Sequence, residues 1–467
     1  MKQNLLVLMV DQLRFDALGF TGCPWASTPN LDRLAAESVS FDAAYTVLPS
    51  CCPARQSFLT GQRPEQLGCH WNYDITLKVP SLTPETFTWP QALHEAGYRT
   101  GYVGKWHVSQ THTPLDFGYD ELYSDGEYYE QCRRRFPEVK YAEPFLGEPD
   151  PLPLEETCTH FLAHKAADMM TRFAKEGKPW HLFFSLSEPH LPCRPAKPFA
   201  GRVDPAQLPP WGSFAEDFHN KPYIQAQMPI SWGLDEMTWE DWAPVVARYH
   251  EALSQVDDAM GMVLDTLKAL GLEENTTILF TTDHGDMGGS HRMIDKHYVL
   301  YDDIVHVPML LKAPGRTEAG RTRRGFTCHT LDWMPTVLEW ADLPVPEDLP
   351  GQSLWPLAAG EPQPGRDRVI ASGNGQQFGL YCSRMLRTEL YKYIWNLTDV
   401  DELYDLKADP WEMENRVDDP ALAETLAALR RTLYEDLTRA RDPLASFWNS
   451  RQLLEGKKLG PADRKRM

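Results

Sequence analysis

Five short, almost unbroken apolar runs constrain the fold of this chain more than any other feature: Asn4–Val10, Arg99–Val103, His181–Leu186, Thr276–Thr281 and Val307–Lys312. A strand apolar at successive positions presents a hydrophobic surface on both sides and must be covered on both. The stretches between the runs carry helical periodicity, notably Thr28–Glu37, Thr88–Ala96, Glu155–Lys175, Tyr249–Leu270 and Leu331–Trp340. Buried strands alternating with such helices predict an α/β fold, a large mixed, mostly parallel sheet sandwiched by helices. Residues 1–365 are assigned to that domain.

Two Pro- and aromatic-rich stretches, residues 142–153 and 189–230, interrupt the domain. They read as long surface loops, suited equally to shaping a pocket rim and to packing against the domain. The Pro/Gly-rich segment Leu357–Arg366 marks a boundary. Beyond it the short alternating segments Val369–Ala371, Phe378–Leu386 and Leu390–Trp395, followed by an Ala/Leu helix over Pro420–Ala440, predict a smaller C-terminal α+β subdomain, residues 366–441, with an antiparallel sheet. Residues 442–467 form a tail. From Arg451 on it carries six basic and two acidic residues and is a candidate for packing on a second copy of the chain, as in a homo-oligomer.

The 46 basic and 66 acidic residues leave a net charge of −20, which argues against nucleic acid or a membrane surface as the main partner. An anionic substrate must therefore be drawn in by a local cationic site. The N-terminal apolar run Leu5–Val10 is too short for a signal peptide or a membrane span. The nine cysteines show no CxxC and no repeated spacing, so neither a zinc ribbon nor a disulfide framework is indicated. These features lead to the expectation of a reduced, cytoplasmic protein.

In open α/β sheets ligands sit beyond the carboxyl ends of the strands. Asp11 and Gln12 end the first run, Lys105 and His107 follow Val103, Glu188 and His190 follow Leu186, and Asp283 and His284 end the run ILFTT. Two carboxylates, an amide oxygen and an imidazole suit a divalent cation. Mostly oxygen donors favour Ca²⁺ or Mg²⁺, while the histidine admits Mn²⁺ or Zn²⁺. With lysines, an arginine and further histidines around it, such a site binds a tetrahedral oxyanion and neutralises the charge that builds up as the group is transferred.

The segment from Pro49 to Gly61 carries the most information: Cys51-x-Pro53-x-Arg55 running into Leu59-Thr60-Gly61. Here the chain resembles the type I sulfatases of the alkaline-phosphatase-like superfamily. The other family motifs stand in the expected order. LLVLMVDQ resembles the first metal-binding strand, GYVGKWH the Gly-Lys-Trp-His block, and Glu188-Pro189-His190 the Pro-His block. The stretch from Tyr249 to His291 is similar to the helix and strand leading to the second metal pair, and ELYDLKADPWEMEN to the C-terminal signature.

The resemblance implies that Cys51 is converted by a formylglycine-generating maturation enzyme to Cα-formylglycine, whose hydrate is the nucleophile. It implies that Asp11, Gln12, Asp283 and His284 bind one divalent metal, Ca²⁺ ahead of Mn²⁺, with the group at position 51 completing the set. Arg55 and Lys105 would hold and polarise the hydrate, His107 would take its second proton, and His190 and Lys296 would contact the ester oxygens. His70 and Asn72 are weaker candidates for substrate contact. The chemistry is consistent: a serine or thiol would leave a stable sulfo-enzyme ester, whereas a gem-diol can eliminate sulfate by C–O cleavage. The substrate so implied is a small-molecule sulfate monoester, whether aryl, alkyl or choline-type, or sugar.

The match has departures. Gln12 and His284 stand where many sulfatases have Asp and often Asn, a pairing that occurs in family branches acting on sugar or alkyl sulfates and also in the related phosphonate monoester and phosphodiester hydrolases. The Lys105-x-His107 pair favours the sulfate ester. A phosphotransferase using an unmodified cysteine, and an inactive binding protein of the same fold, are the readings from other classes.

Overall fold

The computed structural model describes residues 2–75 and 77–458; residues 459–467, the end of the basic tail, lie outside the described residues. Its strands are β1 (Asn4–Val10), β2 (Val39–Phe41), β3 (Ala44–Tyr45), β4 (Arg99–Gly104), β5 (Glu121–Ser124), β6 (Trp180–Leu186), β7 (Thr276–Thr282), β8 (Met309–Lys312), β9 (Arg321–Arg323), β10 (Thr327–Cys328), β11 (Arg368–Asn374), β12 (Cys382–Thr388), β13 (Tyr391–Asn396) and β14 (Glu402–Asp405). Eight of them form one sheet in the order β5-β4-β6-β1-β7-β8-β2-β9. The five from β5 to β7 are parallel, and β8 runs antiparallel to both of its neighbours, so the sheet is mixed and mostly parallel, in agreement with the sequence.

The apolar runs become the central strands because both faces are covered. All seven residues of β1 are buried. Leu6, Leu8 and Val10 face a core shared with the helices Pro29–Ala36, Cys158–Glu176 and Trp239–Ala269. Leu5, Val7 and Met9 face a second core closed by the helices Cys51–Thr60, Trp89–Glu95 and His329–Trp340. Each fully buried Leu or Val of this kind is worth about 1.5–3 kcal/mol relative to exposure, so β1 anchors both layers.

β11 to β14 form a separate four-stranded antiparallel sheet, covered by the helix Ala423–Arg439. The early part of the tail differs from the sequence expectation of a separate segment. Phe447–Glu455 is a helix, and Leu453 is fully buried against Leu429 and Leu433 of this same subdomain. The stretch 189–230 likewise is not all loop, because Tyr223–Trp232 is helical. Among the described residues no helix is long and apolar enough to cross a membrane.

Candidate active site

Parallel pairing decides where the polar residues go. Val10 is in register with both Thr282 and Leu186, so Asp11 and Asp283 leave adjacent strand ends side by side. Gln12, with φ +62, turns the chain sharply after β1 and donates its N–H to Asp283 Oδ1 at 3.2 Å. A non-glycine residue in this region costs of order 1 kcal/mol and persists only where its surroundings enforce it. At the end of β4, Gly104 has φ +107, and a Cβ there would lie 1.8 Å from the Ser185 carbonyl oxygen. Only glycine lets Lys105 approach β6 this closely, its N–H bonding Ser185 O at 2.9 Å.

Cys51 is the first residue of a ten-residue helix whose every position is buried. Its place there puts the side chain at the positive end of the helix dipole. Pro53, in the first turn, removes an N–H that has no helical partner anyway. Arg55, one turn on, points the same way and bridges both carboxylates: Nη2 to Asp11 Oδ2 at 2.9 Å and Nε to Asp283 Oδ2 at 2.8 Å. Its third bonds run to Ser185 Oγ and the Lys105 carbonyl.

Around the sulfur the sequence candidates converge. His284 Nε2 lies 3.2 Å from Cys51 Sγ, and Lys105 Nζ lies 3.9 Å from the sulfur and 2.7 Å from Asp11 Oδ2. Lys296 Nζ meets Gln12 Oε1 at 2.8 Å, His190 Nε2 at 2.6 Å and Asp295 Oδ1 at 3.1 Å. The ion pair with its sequence neighbour Asp295 does not keep Lys296 from the site. A cavity of about 440 Å³ opens above Cys51, lined also by Lys105, His107, His190 and Lys296.

Asp11, Cys51, Asp283 and His284 each offer a ligand atom, all within 4.8 Å of one another and all buried. His284 Nδ1 is 2.9 Å from the Gly285 carbonyl; bonded to it as a donor, it leaves the Nε2 lone pair for the centre. Two carboxylates, an imidazole and the group at position 51 within reach of one another make a donor set that fits a divalent cation, with Arg55 and Lys105 offsetting part of the carboxylate charge. Gln12 adds an amide oxygen at the edge of this group, engaged by Lys296, while its Nε2 donates to Asp286 Oδ2 at 2.7 Å.

The titrations follow. Without a cation at the centre, burial pulls His284 down, but Asp283 and Cys51 outweigh it and carry its pKa up to about 9, so a metal would have to displace that proton to use the Nε2 lone pair. Burial likewise opposes ionisation of Asp11 and Cys51. Lys105, with His190 and Arg55, nevertheless holds the Asp11 carboxyl well below the usual range. Lys105, Lys296 and His284 do the same for the Cys51 thiol. His107, buried yet bonded to Asp74 and Cys51, rises to about 9.

The two weaker candidates part company. Asn72 lines the cavity, but its Oδ1 accepts from Cys52 N and Ser50 Oγ, both at 2.9 Å, so it caps the helix that carries Cys51. His70 lies against Trp71, outside the lining of that cavity, and borders a smaller one with Ser50 and Lys296. Several lining residues escaped sequence reasoning. Asp74 orients His107 at 3.4 Å, Asp295 and His297 flank Lys296, and Gln377 arrives from the loop between β11 and β12. An acidic residue two places after Asn72 is the only local signal among them.

Comparison with known proteins agrees with this arrangement. The sulfatase family model matches residues 3–343, and a model for the C-terminal region of N-sulphoglucosamine sulphohydrolase matches residues 289–439. An ulvan-active sulfatase of Formosa agariphila is 29% identical, over 96% of this chain and 84% of that protein. An arylsulfatase of Clostridium perfringens is 27% identical over 98% of each chain. The crystal structure of a phosphonate monoester hydrolase of Agrobacterium radiobacter superposes with a TM-score of 0.80 at 24% identity, covering 94% of this chain and 96% of the other. With the family model spanning the sheet, the Cys51 helix and the strand ends that carry the site, the chain belongs to the sulfatase family and is an enzyme of it.

Proposed function

We propose that this enzyme hydrolyses a sulfate monoester to an alcohol and sulfate, with Cys51 matured to Cα-formylglycine and a divalent cation, Ca²⁺ ahead of Mn²⁺, held by Asp11, Gln12, Asp283 and His284. The observation that carries the reading is the position of Cys51. It starts a buried helix, has Arg55 bridging two carboxylates one turn later, and faces a cavity ringed by Lys105, His107, His190 and Lys296. The aldehyde hydrate would supply the nucleophile, and a cation held by these residues would lower its pKa and neutralise charge on the transferred group.

The chain's own residues do the rest. Arg55 fixes the two carboxylates in orientation, and Lys105 brings positive charge to the side where the sulfate oxygens sit. His107, backed by Asp74, is placed to take a proton from the group at position 51 when its imidazole is neutral, and the carboxylate stabilises the imidazolium so formed. Lys296 and His190 share a 2.6 Å hydrogen bond and can deliver a proton to the departing alkoxide. Lys105 and His107 both line the cavity, which supports sulfate over phosphonate.

The test is the mass of the peptide spanning Cys51, from protein co-expressed with a formylglycine-generating enzyme, together with sulfate release from 4-nitrophenyl sulfate and turnover of a phenylphosphonate ester. Aldehyde at position 51 and a higher kcat/KM for the sulfate are expected. A fully retained thiol, or preference for the phosphonate, overturns the reading.

A further inference from the structure

Beside the catalytic cavity lies a second one of about 290 Å³, and Lys105 and His190 belong to the walls of both. That volume sits at the small end of ligand sites and suits one ring. Tyr128, Tyr129, Phe136 and Tyr141 supply aromatic walls. Glu188, two residues before His190, lines the cavity with Oε2 buried and, among the described residues, without a hydrogen-bond partner. Burial, with Asp125 and Asp150 nearby, raises its pKa to about 7, so near neutrality the carboxyl can donate as well as accept.

A buried polar group left unpaired costs free energy, and a ligand hydroxyl would relieve it. Lys105 is already paired with Asp11 at 2.7 Å, and Arg133 and Arg194 stand in the lining against Asp150 and a Glu188 that is part-neutral near pH 7, which disfavours an ammonium group there. Arg133 makes no ion pair among the described residues, so its charge is not cancelled. Aromatic faces beside a hydroxyl-binding carboxyl match a polyhydroxylated ring better than a plain aryl or alkylammonium group.

We propose that Glu188 is a specificity-determining residue: it hydrogen-bonds a ring hydroxyl of the alcohol portion seated in this cavity, and thereby selects sugar sulfates. The inference rests on the sulfatase reading above.

The test compares wild type, Glu188→Gln and Glu188→Leu on monosaccharide sulfates (2-, 3-, 4- and 6-sulfated hexoses and hexosamines), 4-nitrophenyl sulfate and choline sulfate. Wild type is expected to favour a sugar sulfate over choline sulfate. A site that bonds a substrate hydroxyl discriminates steeply, so Glu188→Leu should lower the ratio of kcat/KM for that sugar sulfate to kcat/KM for 4-nitrophenyl sulfate by about tenfold or more, mainly through KM. Glu188→Gln, which keeps a donor and an acceptor, should recover part of the ratio. An unchanged ratio, whether both substrates fall equally or neither falls, overturns the proposal, as does preference for choline sulfate. Cleavage of 4-nitrophenyl sulfate alone overturns the proposal and leaves the sulfatase reading standing. Cleavage of no sulfate ester overturns both.

Discussion

Two buried clusters of charge sit at opposite ends of this molecule's logic. One surrounds Cys51. The other joins the four-stranded sheet to the main body, where Lys392 Nζ lies 2.6 Å from Asp302 Oδ1 and 2.7 Å from Glu412 Oε1, and Lys221 Nζ lies 2.6 Å from Glu216 Oε2. Both clusters are largely buried, and both mix lysines, histidines and carboxylates. They differ in what occupies the middle. In the second, an ammonium sits between carboxylates and no ligand is called for. Around Cys51, four electron-rich atoms face one another and a cavity opens above them. A structural ion cluster puts its cation at the centre, whereas a site leaves the centre for something the chain does not supply.

The sharpest way to break that comparison is to cut each cluster and ask what is lost. Cys51→Ala should remove turnover almost entirely, by about 10⁴-fold or more, since loss of a nucleophile disables the machinery acting with it. Its melting temperature should hold or rise, as removing the polar group at position 51 relieves crowding among acceptors. Sulfate release and a thermal melt on one preparation check both halves. Lys392→Met should do the reverse. It takes the ammonium from between Asp302 and Glu412, leaving Arg387 at 3.5 Å from Asp302, and should cost about 3–5 kcal/mol of stability. The kcat of the molecules that remain folded should be retained. If Lys392→Met instead abolished turnover at full stability, the second cluster would not be merely structural.

The histidines extend the contrast. His284 and His107, beside carboxylates, are raised to about 9, whereas His250, buried with neither ring nitrogen bonded among the described residues, is lowered to about 4. A histidine depressed in the fold stabilises it while neutral. Stability is intact above the ordinary value of 6.5, declines as the pH falls, and is lost in full below about 4. That loss is about 3 kcal/mol for a shift of this size. His250→Leu should therefore raise the melting temperature more at pH 5 than at pH 8. His181 and His329, buried and lowered to about 3 and about 4, keep part of the acid limb in place. An equal gain at both pH values would show that packing, and not titration, governs His250.

Much of this was legible because the strands around the site are long and apolar. Periodicity located β1, β4, β6 and β7, and the polar residues just past them could be read off as neighbours. Three edge or near-edge strands, β2, β5 and β9, were not legible. They are three or four residues long, and β5 and β9 are half-exposed or exposed, so pairing and not pattern makes them strands. The helix Trp239–Ala269 starts ten residues before the periodic stretch that announced it, because Pro244 and the tryptophans disguise its first turns despite a capping box at Thr238 and Asp241. Gln377 reaches the cavity through tertiary packing that no local signal encodes.

Asn72 stands on the line between the two kinds of region, and it gives the smallest and most discriminating effect. It sits in the lining of the cavity, yet its carbonyl is spent on Cys52 N and Ser50 Oγ at the start of the catalytic helix. As a cap, its removal in Asn72→Ala should cost about 1 kcal/mol of stability. The first turn carries Cys51, so a loosened start should also lower kcat by a few fold, equally for every sulfate ester tried. As a substrate contact, Asn72 should instead raise KM, and differently from one alcohol to the next, with the melting temperature unmoved. Asn72→Asp separates the two further: the carboxylate keeps both acceptor bonds and suits the positive end of a helix, so the cap predicts recovered stability. Added negative charge beside the sulfate would at the same time weaken binding of the ester. A stable variant with raised KM for all substrates is therefore the outcome expected of a cap that also borders the anion site.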